Sequence, residues 1–139
     1  MKKALIFGIC CCLGCSRHPA EPDIRLSLTD SNRSLKITGF NKAIIDDIGR
    51  DSSAEAWETL LPVYKMPADT DMKDFQNEQP GSYKVTGNEV VFTPDTPFKK
   101  GQVYFLRTSN YSSASDAWQF LREKRQKGRM AYKDLIFSY

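Results

Sequence analysis

The sequence predicts a mainly β fold, an antiparallel β-sandwich carrying one inserted helix near its C-terminus. Three observations carry that expectation: a hairpin legible residue by residue at 81–94, short apolar-alternating runs before and after it, and a single helical pattern beyond residue 113. A chain of 139 residues with 40% hydrophobic and 12% aromatic content can build one such core, and its length leaves no room for a second domain.

Residues 1–14 read as a targeting segment. Lys2 and Lys3 precede an apolar run over 4–13 that is too short to span a bilayer as a helix. All four cysteines (Cys10, Cys11, Cys12 and Cys15) fall in or just after this run, so neither a disulfide framework nor a structural zinc site is expected in the folded part. Cys12-Leu13-Gly14-Cys15 resembles a bacterial lipoprotein processing site, with the small Gly14 ahead of the cysteine to be lipidated. That resemblance implies removal of residues 1–14 as a signal peptide and lipidation of Cys15; a plain secretion signal is the blander reading. Residues 15–23 are then the lipidated cysteine and a two-proline linker, which reaches on the order of 25 Å at about 3.1 Å per residue. By resemblance to lipoprotein sorting rules, Ser16 after the cysteine implies the outer membrane, and the basic Arg17-His18 implies its periplasmic face. His18, the lone histidine, stands in this linker without partners and is read as neither catalytic nor a metal ligand.

The folded domain is expected over 24–139. The formal net charge is +3, but without Lys2 and Lys3 the 20 basic residues become 18 against 17 acidic ones, so charge gives no argument for nucleic acid. Ile24, Leu26 and Leu28 alternate with polar residues, as do Leu35 and Ile37, and the polar stretch between them makes a first hairpin. Positions 41–50 fit a short helical turn or a loop. Ser52-Ser53-Ala54-Glu55 has the form of a capping box opening a helix. Against it, Trp57, Thr59, Leu61 and Val63 alternate and Pro62 would break a helix, so an edge strand ending near Met66 is the expected element. Positions 66–80 form a polar connection long enough to serve as an interaction loop. Its Asp69, Asp71 and Asp74, with Asp46 and Asp47, invite a calcium reading. They lack the glycine and distal glutamate of an EF-hand loop and Lys73 interrupts them, so a solvated loop is favoured and no metal is expected.

The second hairpin fixes the register of the sheet. Gly87-Asn88 is a two-residue turn signal in which both central residues must tolerate positive φ. It sets Thr86 opposite Glu89, Val85 opposite Val90, Lys84 opposite Val91 and Tyr83 opposite Phe92, with Tyr83, Val85, Val90 and Phe92 on one face. Pro94 and Pro97 end the second strand. After a turn at Lys99-Lys100-Gly101, Val103-Tyr104-Phe105-Leu106 is apolar on both faces and belongs in the middle of a sheet. This stretch resembles the bacterial Ig-like domain of the SbsA type, through Gly81, Gly87, Asn88, Val90, Val91, Phe92, Thr93, Pro94, Phe98, Gly101 and Tyr104. Leu135-Ile136-Phe137-Ser138-Tyr139 is similar to that family's aromatic closing strand, and Thr38-Gly39-Phe40-Asn41-Lys42-Ala43-Ile44 to an earlier strand end. The resemblance implies an Ig-like sandwich in which a helix replaces the family's usual approach to the last strand.

Ser113 with Asp116 three residues on begins that helix, and Gly128 can end it. Ala114, Ala117, Trp118 and Leu121 share one face, widened by Phe120, and Trp118 is read as a core anchor rather than a sugar-stacking platform. Arg122, Lys124, Arg125, Lys127 and Arg129 crowd its last turns. They are a candidate patch for an anionic partner or lipid headgroups, set against the simpler role of complementing the helix dipole.

No enzyme is expected, and no cofactor. The domain has no Cys or His for thiol or imidazole chemistry, and no nucleophile elbow, phosphate loop or metal-ligand cluster occurs in the sequence. The expected function is that of a lipid-anchored cell-envelope protein whose Ig-like module serves as a protein-interaction or accessory subunit. The alternative is a module binding glycan or a cell-wall polymer. Exposed aromatics in a row, drawn from Tyr64, Phe75, Tyr111 and Trp118, would favour the glycan; buried aromatics with one flat apolar edge strand would favour the protein partner.

Overall fold

A computed structural model describes residues 23–31, 33–51, 54–109, 111, 113–123 and 132–139. The targeting segment, Cys15, the linker through residue 22, Ser52, Ser53 and Gly128 lie outside them, as do Lys124, Arg125, Lys127 and Arg129.

Two antiparallel sheets share one core. The first has the order β1-β2-β5-β4, from β1 (Arg25–Thr29), β2 (Ser34–Thr38), β4 (Gly81–Thr86) and β5 (Glu89–Pro94). The second has the order β3-β6-β7, from β3 (Val63–Lys65), β6 (Val103–Ser109) and β7 (Tyr132–Ser138). In the β1–β2 turn Asp30 and Ser31 take φ of 52° and 54°, and the Arg33 N–H closes on the Asp30 carbonyl at 3.1 Å. The β4–β5 hairpin has the register read from the sequence, from Gly81 opposite Pro94 to Thr86 opposite Glu89. Its turn differs in one respect: Gly87 takes φ of 60° but Asn88 stays out of the positive region, so only the first central residue bears the constraint, as in a Gly-X turn of type II′.

Leu35 and Ile37 of β2 lie opposite Phe92 and Val90 of β5, and all four are fully buried. The inner face of the second sheet supplies Tyr104, Leu106, Leu135 and Phe137. Phe98, on the connection from β5 to β6, bridges the two: its ring centroid lies 6.4 Å from Phe92, 4.9 Å from Tyr104 and 5.3 Å from Phe137. The Tyr104 hydroxyl accepts the Lys99 N–H at 3.0 Å, which pins the connection.

Helices fill the rest of the core. Positions 41–50 turn out to be helix α1 (Lys42–Asp51), because Ile44, Ile45 and Ile48 fall on one face and Asn41 caps it, its Oδ1 accepting the Ala43 N–H at 2.9 Å. The expected edge strand through Trp57 is corrected to helix α2 (Ala54–Leu60) followed by the short β3. The alternating set and the helical set overlap in this segment, but Ala56, Trp57 and Leu60 are the residues that reach the core, at helical spacing. Pro62 lies beyond the last turn, where it ends the helix without breaking it. The C-terminal helix α3 (Ala114–Glu123) starts where Ser113 and Asp116 place it, and the two form a reciprocal box: Ser113 Oγ accepts the Asp116 N–H and Asp116 Oδ2 accepts the Ser113 N–H, both at 3.2 Å. Trp118 is half-buried against the core and donates its indole N–H to Asp47 of α1 at 2.7 Å. One inserted helix was expected; among the described residues there are three α-helices and a short 3₁₀ helix.

Candidate functional site

Strand parity divides β6. Tyr104 and Leu106 point into the shared core, so Phe105 and Arg107 point to the other side of the sheet. The register places Tyr64 of β3 and Ile136 of β7 in one row with Phe105, and Asp134 opposite Arg107. Phe105 is nevertheless fully buried. Its cover is the Tyr64 ring, stacked 5.0 Å away, the Lys73 ammonium 4.8 Å above its centroid, and the Arg107 guanidinium at 5.5 Å.

Lys73 arrives on a 3₁₀ helix over Thr70–Phe75, inside the connection the sequence marked as a candidate interaction loop. Asp69 starts this helix, its carboxylate accepting the Asp71 N–H at 3.0 Å. The helix is laid on the sheet by charge. Arg107 makes a two-pronged contact with Asp134, Nε to Oδ1 at 2.8 Å and Nη2 to Oδ2 at 2.9 Å, and Nη2 also donates to Asp74 at 2.8 Å. Lys73 Nζ lies 2.7 Å from Asp134 Oδ2. The Tyr132 ring sits 3.9 Å over the Arg107 guanidinium, and its hydroxyl donates to Asp74 at 3.2 Å. Burial opposes ionisation of Asp134, but the bonds from Arg107 and Lys73 outweigh it and hold its carboxyl below the usual carboxylate range. Burial, reinforced by the nearby Glu78 carboxylate, pushes the Tyr64 hydroxyl up to about 12.

Around this neutralised centre the surface is apolar. Ile136 is 63% exposed and Tyr132 50%, and the 3₁₀ helix adds Met72 at 48% and Phe75 at 74%. Met72 and Phe75 are three residues apart, the spacing that superposes side chains in a 3₁₀ turn, so they form one edge. Among the described residues only one other large hydrophobic, Tyr139, is comparably exposed, which makes this the face where apolar surface collects.

The residues singled out from sequence distribute differently. Arg122 is exposed in the last turn of α3, while the other four basic residues of that patch lie outside the described residues. Of the four aromatics that would stack a glycan, Phe75 alone is exposed: Tyr111 is buried against Phe40 and Phe120, Tyr64 is half-buried on Phe105, and Trp118 is held by Asp47. The acidic residues are split between roles, with Asp46 paired to Lys42, Asp47 to Trp118, Asp69 capping and Asp74 on Arg107. Among the described residues no group of three or more Asp, Glu, His or Cys side chains is placed to hold a metal ion. Arg107, Asp134, Lys73, Tyr132 and Ile136 were not singled out as site residues from sequence. The available signal was alternation, since Arg107 stands two residues after Phe105 and so shares its face. Comparison with protein-family models, with curated proteins and with solved structures finds no match to this chain.

Proposed function

We propose that this chain is a non-catalytic, lipid-anchored protein of the bacterial cell envelope whose Ig-like module docks onto an envelope protein as an accessory subunit. The observation that carries the docking reading is the outer face of the β3–β6–β7 sheet, where Met72, Phe75, Tyr132 and Ile136 stand exposed around a charge-balanced centre. Its two cations are both held, Lys73 by Asp134 and Arg107 by Asp134 and Asp74, so this centre offers no unpaired cation to a lipid headgroup or polyanion. The complementary occupant is a protein surface with an uncharged, apolar centre. Anchoring rests on the processing-site resemblance at Cys15, and the Ig-like assignment on the segment from Gly81 to Tyr104. No described helix is long and apolar enough to cross a membrane.

The test is site-specific photocrosslinking of the full chain in its native envelope, from Phe75 and, as a control on the other sheet, from Lys84. The expected result is one protein adduct from Phe75 that is absent from Lys84 and lost in the Met72→Ser/Phe75→Ser variant. Both positions are exposed, so the variant should keep wild-type stability within about 0.5 kcal/mol. Absence of a protein adduct from Phe75 would overturn the docking reading, and co-purification of cell-wall glycan in its place would establish the alternative.

A further inference from the structure

Strand β7 forms one edge of the three-stranded sheet. Two hydrogen bonds fix which backbone groups face that edge. The Met66 N–H donates to the Val103 carbonyl at 2.9 Å and the Arg107 N–H to the Pro62 carbonyl at 3.0 Å, so Val103, Phe105 and Arg107 turn their backbone groups toward β3. Tyr104, Leu106 and Thr108 then turn theirs toward β7, and their register partners Phe137, Leu135 and Lys133 answer them. The Tyr139 carbonyl, which accepts the Gly101 N–H at 2.8 Å, agrees with this phase. The backbone N–H and C=O groups of Tyr132, Asp134, Ile136 and Ser138 therefore point outward, and among the described residues no strand or bridge pairs with them. In the middle of that row stands Ile136, an exposed β-branched residue on an open strand.

A two-fold antiparallel pairing places one residue of β7 opposite itself, and the sequence discriminates among the choices. An axis on Lys133 or Asp134 sets like charges face to face. An axis on Leu135 sets Asp134 against Ile136 and Lys133 against Phe137. An axis on Tyr132, Phe137 or Ser138 shortens the overlap of the two strands. An axis on Ile136 pairs Ile136 with its own copy, Leu135 with Phe137, Asp134 with Ser138 and Lys133 with Tyr139. In that register apolar meets apolar, a hydroxyl meets a carboxylate already neutralised by Arg107 and Lys73, and an ammonium meets an aromatic ring. It is also a register in which outward-pointing backbone groups meet one another.

We propose that the chain forms a two-fold dimer by antiparallel β7–β7 pairing centred on Ile136, joining two three-stranded sheets into one of six. The row Tyr64–Phe105–Ile136 then runs unbroken across the axis into its copy, and the two apolar faces become one platform. An edge contact of this kind falls at or below the lower end of stable interface sizes, about 1,200 Å², so micromolar dissociation is expected. The inference shares Ile136 with the docking face, but it rests on the strand edge and its register and not on Met72 and Phe75, so the two are tested separately.

Sedimentation velocity of the purified full chain in detergent, from low to high micromolar, tests it. The wild type is expected to pass from monomer to dimer. Ile136→Lys and Ile136→Glu, each alone, should remain monomeric, and an equimolar mixture of the two should recover the dimer, which shows that both variants are folded. The Met72→Ser/Phe75→Ser variant should dimerise as the wild type does. A wild type that stays monomeric throughout, or an Ile136→Lys chain whose dimer is weakened less than tenfold, overturns the proposal.

Discussion

The ion pair of Arg107 with Asp134 should behave as a shielded interaction although it lies outside the main core. Their side chains are only 18% and 11% exposed, and Asp134 receives Lys73 as well. Removing one partner of a buried pair costs about 3–5 kcal/mol. With Asp134→Ala, Arg107 keeps Asp74 and the Tyr132 ring, which brings the expected loss toward the lower bound, about 3 kcal/mol. For a domain of this size that lowers Tm by roughly 10 °C. The decisive assay is a double-mutant cycle, with urea unfolding followed by tryptophan fluorescence for Arg107→Met, Asp134→Leu and the combined variant. Because the combined variant leaves neither Arg107 nor Asp134 facing a lost partner, and releases only Lys73 and Asp74 from theirs, it should be less destabilised than the two single losses summed, by a coupling of about 2 kcal/mol. High salt should leave most of that coupling in place, since shielded pairs are screened little. Losses additive within about 0.5 kcal/mol would refute the reasoning and place the pair among ordinary surface contacts.

Three further outcomes follow from the same structure. An added Cβ at Gly81 would lie 2.5 Å from both the Phe92 ring and the Thr93 carbonyl oxygen, so Gly81→Ala should cost at least about 2 kcal/mol by urea unfolding; Gly87→Ala meets no neighbour but must hold φ of 60°, and should cost about 1 kcal/mol. Trp118→Phe keeps a ring on the core but loses the hydrogen bond to the Asp47 carboxylate, an expected 1.5–3 kcal/mol, or about 2 kcal/mol in the same assay. The carboxyl of Asp134 titrates lower in the folded chain than in the unfolded one, where it sits at about 3.9; its contribution is therefore present above the unfolded value and lost as pH falls through the folded one, and Asp134→Asn should flatten the acid-side fall in unfolding free energy that begins at about pH 5.

What the sequence made legible were the features decided locally. A two-residue loop leaves one register for β4 and β5, so every pair from Tyr83–Phe92 to Thr86–Glu89 was readable before any tertiary contact was known. The box at Ser113 and Asp116 was readable for the same reason. The segment from Ala54 to Val63 was not, because Trp57, Leu61 and Val63 satisfy an alternating period while Ala56, Trp57 and Leu60 satisfy a helical one. Packing of α2 against α3, β4 and β6 decides between them, and that contact is non-local. The site was hidden for a related reason. Arg107 and Asp134 are 27 residues apart, and their meeting depends on the β6–β7 register, whose connection contains a helix and no turn signal tight enough to count across.

The charged cover over Phe105 is what would suit this face to the proposed docking role. Phe105 occupies a position that faces away from the core, so it must be shielded by groups that water also accepts. Arg107 and Lys73 do this with their cationic heads over the ring, while Asp134 and Asp74 neutralise those heads in place. A partner that settles on Met72, Phe75 and Tyr132 therefore covers apolar surface without having to strip water from an unpaired charge, the penalty that most often cancels the gain from burying a polar face. The same arrangement ties binding to stability. The 3₁₀ helix that presents Met72 and Phe75 is held to the sheet through Lys73 and Asp74, so weakening Asp134 should loosen the docking edge along with the cover of Phe105. Occupancy of that edge should in turn raise the stability of the β3–β6–β7 sheet by mass action.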